Sequence, residues 1–128
     1  MASAVVIGLV RDYLNVLSRE GFRVHRAVLF GSQARGDPHA DSDIDILIAS
    51  PDFEHLDWKQ EEKIWALTAR VDSRIEPVPC AEWRWRDDQV SPLIEVARLE
   101  GIVIEADPGV PPYPAKQEFS LGMQRLRK

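Results

Sequence analysis

Two short apolar runs with polar ends constrain this chain more than any other feature. The first, Ala27-Val28-Leu29-Phe30, breaks at Gly31-Ser32. The second, Asp43-Ile44-Asp45-Ile46-Leu47-Ile48-Ala49, alternates acid and apolar residues at its entry and is wholly apolar beyond. A strand that is apolar on both faces belongs inside a layered domain, and its polar end marks where it emerges. Side chains alternate along a strand, so Asp43 and Asp45 point one way and Ile44 the other. Paired carboxylates at a strand entry form a grip for a hard divalent cation, which takes oxygen ligands. A glycine before Ser32 lets the backbone approach a bound group closely, and the N–H groups opening a following helix can receive phosphate oxygens.

The rest of the chain supplies a frame for these two strands. Val6, Ile7, Val10, Leu14 and Leu17 fall at spacings of three and four, which predicts an amphipathic helix from Ser3 to Glu20, stopped by Gly21. Phe22 to Phe30 reads as a strand, and Ser32 as the cap of a short helix through Arg35, closed by Gly36. Ile64, Leu67, Thr68 and Val71 mark a helix over roughly residues 55–71, with Glu61, Glu62 and Lys63 facing solvent. Arg74 to Cys80 reads as a third strand, placed at a sheet edge because Pro77 and Pro79 cannot donate ladder hydrogen bonds. Ser91-Pro92 opens another helix, Gly101 ends it, and Ile102-Val103-Ile104 is a fourth strand. Four of the nine prolines lie in residues 108–114, too dense for a helix or a central strand. The expected division is therefore a domain over residues 1–107, followed by a Pro-rich linker and basic tail over residues 108–128. In that tail Phe119, Met123 and Leu126 sit at helical spacing.

Composition narrows the class. A chain of 128 residues with 45% hydrophobic residues can bury a core of its own. The single cysteine, Cys80, excludes an internal disulfide framework and a Cys-rich zinc site, and fits a reducing cytoplasm. The run Ala4 to Val10 is too short for a membrane span and lacks the charged start of a signal peptide. Net charge is −5, split between −8 over residues 1–115 and +3 over residues 116–128. An acidic body argues against a broad nucleic-acid surface, and an anionic substrate would need a local device to reverse the sign.

A third acid would complete a metal-holding site. Glu76, in the third strand between Ile75 and Pro77, is the favoured candidate, because a carboxylate there is costly to bury without a cation. Asp72, at the helix exit, is the competitor. Trp83-Arg84-Trp85-Arg86 interleaves aromatic and basic residues, but four residues in an acidic body favour packing plus a partner contact over base stacking. Trp58 and Trp65 are expected on their helix's packing face or its margin. His25, His39 and His55 lack zinc spacing, and Cys80 is expected to be a buried thiol.

The string GSQARGDPHADSDIDILI, residues 31–48, resembles the signature of the DNA polymerase β-like nucleotidyltransferase superfamily, specifically its minimal single-domain members. The resemblance extends over about residues 5–105. It implies an α/β fold, a small mixed β-sheet with helices packed on one side, and transfer of a nucleoside monophosphate from ATP or another NTP to a hydroxyl, with pyrophosphate leaving. It also implies Asp43, Asp45 and Glu76 as catalytic, Mg²⁺-holding acids, with Glu where the family often has Asp. Gly31, Ser32, Arg35 and Ser42 are implied as nucleotide-binding, Arg35 either on phosphate or paired back to an acid. One-domain relatives are often antitoxins that add AMP to a tyrosine of a HEPN-domain toxin, so such a partner is expected. The alternatives are a non-catalytic binding partner acting by contact and a small-molecule, aminoglycoside-like nucleotidyltransferase.

Overall fold

The computed structural model describes residues 3–24, 26–36, 42–88 and 90–106. The tail over 108–128, His25, His39 and most of the loop between the two motif strands lie outside the described residues. The elements run α1 (Ala4–Arg19), β1 (Arg26–Phe30), α2 (Ser32–Arg35), β2 (Ile44–Ser50) and α3 (Trp58–Ala66, continued by a 3₁₀ turn Leu67–Arg70). They continue with β3 (Ile75–Ala81), α4 (Glu82–Asp87), α5 (Pro92–Glu100) and β4 (Ile102–Glu105). The sheet order is β3-β2-β1-β4, with β1 antiparallel to both β2 and β4, and β2 parallel to β3.

Local chemistry sets the element ends. Ser3 caps α1 by accepting from the Val6 N–H at 3.1 Å, and Ser91 caps α5 from Ile94 at 3.5 Å. The helix expected from residue 55 starts at Trp58 instead, because Asp57 and Gln60 form a reciprocal capping box. Ser32 is not a cap: it is the first residue of α2, and Gly31 holds the cap position without a side-chain bond. The first strand begins at Arg26 rather than Phe22.

Alternation along the strands divides the core. Leu29, Ile44, Ile46, Ile48, Ile75 and Ile104 face α1 and α3, where they meet Val10, Tyr13, Leu14, Leu17 and Ile64. Val28, Leu47 and Cys80 face the other way and meet Ile94 and Ala97 of α5, with Trp85 of α4 packed against them. The expected mixed sheet and helical layer are present, but helices do not keep to one side. The second face of β1 and β2 carries Val28, Phe30 and Leu47 beside Asp45, and α5 covers its apolar part. Trp58 and Trp65 are 67% and 48% exposed, so neither lies on the packing face of α3, where Ile64 is buried, and the margin is the place left for them. Trp83 is also exposed, whereas Trp85 packs inward with Arg98 5.5 Å over its ring. Burial pushes the Cys80 thiol up, as expected of an inert core cysteine.

The Tyr13 hydroxyl is fully buried and donates to the Ile64 carbonyl at 2.5 Å, which ties α1 to α3. Tyr13→Phe leaves a well-filled core but removes that donor. The expected cost is about 1 kcal/mol, read as a drop of about 3–5 °C in thermal midpoint. An unchanged midpoint would show that the bond adds nothing.

Candidate active site

The strand register assembles the acids. Asp45 pairs with Phe30 on one side and with Glu76 on the other, so the turn after β1 and the third acid flank the same residue. Asp45 shares its face with Leu47, and Glu76 shares its face with Val78 and Cys80. The acids therefore lie on the sheet face that α5 covers in part. Asp43 is exposed just before β2, and Ser42, half-buried, precedes it.

Asp45 and Glu76 are both displaced from the ordinary carboxylate range. Burial, then the charge of Asp43, pushes Asp45 up, against an opposing hydrogen bond from Glu76 and the charge of Arg35. Glu76 is pushed up by hydrogen bonding to Asp43, then by burial and by the charges of Asp43 and Asp45. Clustered carboxylates of this kind relieve their repulsion by holding a proton or a cation. Asp72 behaves in the opposite way. Arg74 donates to it at 2.8, 3.0 and 2.9 Å and holds its carboxyl below the usual range. The structure thus brings Glu76, and not Asp72, to the Asp43/Asp45 pair.

The phosphate-cradle candidate stands beside these acids. Gly31 has φ +79° and ψ −158°, a region that only glycine adopts without strain. A Cβ there would lie 2.5 Å from Asp45 Oδ2. The positive φ requires the glycine, and the missing Cβ lets its backbone lie against the acid without displacing the Asp45 carboxylate. Ser32 follows, half-buried, at the start of α2. Arg35 is paired back to an acid, with Nη1 donating to Glu100 Oε1 at 3.2 Å.

Two contributors escaped the sequence. Gln33, 4% exposed, donates from Nε2 to the Ser42 carbonyl at 3.3 Å and fastens α2 to the entry of β2. Glu100 accepts from the Gly31 N–H at 3.1 Å as well as from Arg35. A buried glutamine beside a Gly-Ser turn hints at such a tie, whereas nothing local marks Glu100, which lies 69 positions from Gly31.

The donor set fits a divalent cation in kind: three carboxylates from two adjacent strands, all hard oxygen donors. Among the described residues no three such side chains already stand around a common metal position. The acids instead contact one another through Glu76, as expected where protons substitute for a cation. Among the described residues no helix is long and apolar enough to cross a membrane.

Known proteins resemble this chain in sequence and in fold. Over 49 residues the chain is 43% identical to the "Putative protein adenylyltransferase" of Methanocaldococcus jannaschii, covering 37% of this chain and 49% of that protein. The chain thus spans about half the length of that curated relative. A chain of a toxin-antitoxin crystal structure with AMP-PNP superposes with a TM-score of 0.53 at 23% identity, over 77% of this chain and 74% of that one. A "putative nucleotidyltransferase" from Sulfolobus solfataricus superposes with a TM-score of 0.52 at 16% identity, over 77% and 78%. At these identities the superpositions show the fold. The family model described as a nucleotidyltransferase domain matches residues 10–95, a span that holds Gly31, Ser32, Asp43, Asp45 and Glu76, and the chain belongs to that family.

Proposed function

We propose that the protein is an Mg²⁺-dependent nucleotidyltransferase that moves AMP from ATP to a hydroxyl on a partner protein. The observation that carries this reading is the pairing of Asp45 with Glu76 in register, with Gly31 backbone held against Asp45. Asp43, Asp45 and Glu76 would hold Mg²⁺, which supplies neutralisation of phosphate charge and activation of the acceptor oxygen. The Gly31-Ser32 turn receives the β- and γ-phosphates, with Ser42 and Arg35 in support. Gln33 keeps that turn in register with the acids. The acceptor oxygen forms a bond to the α-phosphorus, the bond to the β-phosphate oxygen breaks, and pyrophosphate leaves. Glu76, across the register from Asp45 at the acceptor side, takes the acceptor proton.

A protein acceptor is supported by the printed name of the Methanocaldococcus relative and by the toxin-antitoxin neighbour with AMP-PNP. We assign the acceptor as a tyrosine of a HEPN-type toxin and the role as that of an antitoxin acting in the cytoplasm. Neutralisation by contact is the second reading, favoured by the exposed apolar residues Leu93, Val96 and Leu99 along the outer side of α5.

The test is incubation with α-labelled ATP, Mg²⁺ and a co-expressed HEPN-type protein, followed by mass spectrometry of the acceptor. Label on a tyrosine, lost with chelator, is the expected result. Silencing of the toxin without label would establish contact instead. Label on an aminoglycoside and not on protein would move the acceptor to small molecules.

A further inference from the structure

Glu100, the last residue of α5, reaches the Gly31-Ser32 turn from the second helical layer. A single oxygen, Oε1, accepts both the Gly31 N–H at 3.1 Å and Arg35 Nη1 at 3.2 Å. The backbone beneath it is closely packed. Ile94 and Ala97 anchor α5 in the core, and a Cβ on Gly101 would lie 2.2 Å from the Ala97 carbonyl oxygen and 2.3 Å from Val28 Cγ1. The Glu100 side chain is 29% exposed, so it has solvent to turn into without any shift of α5.

An anionic oxygen that collects one backbone N–H and one guanidinium presents what a phosphate oxygen would present to the same donors. A triphosphate seated at this turn would also meet the Glu100 charge at close range. We propose that Glu100 is an internal competitor of the nucleotide phosphates: it holds Gly31 N–H and Arg35 in the nucleotide-free protein, and binding requires it to swing out. The proposal rests on the reading that this turn receives phosphate. It makes Glu100 a residue that restrains nucleotide affinity, with Arg35 exchanged between carboxylate and phosphate.

The experiment is calorimetric titration of AMP-PNP, with excess Mg²⁺, into the wild type, Glu100→Gln, Arg35→Ala and the double variant. Removing one nearby negative charge while keeping the side-chain shape is expected to tighten binding roughly tenfold. Arg35→Ala should weaken binding, and the gain from Glu100→Gln should shrink in that background, because the released guanidinium is part of the gain. Binding by Glu100→Gln that is unchanged or weaker would mean that Glu100 only braces the turn, and would overturn the proposal. An equal gain in both backgrounds would reduce the effect to general repulsion and would overturn the exchange. No binding of AMP-PNP by wild type or any variant would overturn the nucleotide reading itself, and this proposal with it.

Discussion

Replacing Asp43 and Asp45 together with alanine is expected to cut nucleotidyl transfer by roughly a thousandfold or more while leaving the protein folded. The two effects separate because these carboxylates oppose the metal-free fold rather than support it. Asp45 and Glu76 both have pKa values raised in the folded state, by burial and by hydrogen bonding to Asp43 respectively as the leading causes, with mutual repulsion added. Groups of this kind contribute stability that is fully present below the ordinary carboxylate range and is lost as pH rises through their raised folded-state values. Without metal, the wild type should therefore melt lower at pH 7 than at mildly acidic pH, as far as these groups decide it. The double variant should melt at least as high as the wild type at pH 7. Mg²⁺ should raise the wild-type midpoint and leave that of the variant unmoved, since only the former has the donors. Thermal melts at two pH values, with and without Mg²⁺, read all of this beside the transfer assay. Full transfer by the double variant would sink the mechanism.

Gly31→Ala is expected to remove activity as completely, and for a different reason. The new methyl would sit 2.5 Å from Asp45 Oδ2, at a backbone conformation that L side chains rarely adopt. Either the turn relaxes away from Asp45, which separates the phosphate seat from the acids, or Asp45 rotates out of its place beside Glu76. Both remove the geometry that transfer requires, and the strain costs about 2 kcal/mol of stability. The measurement is the thermal midpoint together with transfer and AMP-PNP affinity. Binding and activity at wild-type levels would show that the turn does not act as a phosphate seat.

The sequence marked the residues of the candidate site more sharply than the helices around them. Gly31, Ser32, Asp43 and Asp45 were legible because the chemistry lies within two strand ends and one turn, where side-chain period alone fixes who faces whom. Glu76 was favoured over Asp72 from its apolar neighbours; its place beside Asp45 depends on the parallel register of β2 and β3, which leaves no local mark, whereas the Asp72–Arg74 pair is a contact two residues apart. Glu100 was not legible at all. Its contact with Gly31 depends on α5 lying across the sheet, a tertiary fact set by Ile94 and Ala97 packing on Val28 and Leu47. The same packing explains why one helical layer was expected and helices were found on both faces. A strand buried on both sides states that two covers exist without naming them.

The prolines of β3 have a consequence for how this molecule keeps its own company. β3 pairs with β2 on one flank and lies at the end of the described sheet on the other. Pro77 and Pro79 stand two residues apart, so the amide hydrogens they lack belong to a single flank. Since the ladder to β2 is continuous from Ile75 to Ala81, that flank is the outer one. The outer row of β3 thereby lacks two of its donors, at Pro77 and Pro79 beside Glu76, which makes it a poorer template for an incoming strand. Extension of the sheet by a neighbouring chain is disfavoured there relative to the β4 side of the described sheet. The two prolines thus discourage a second strand from closing over the edge that carries Glu76.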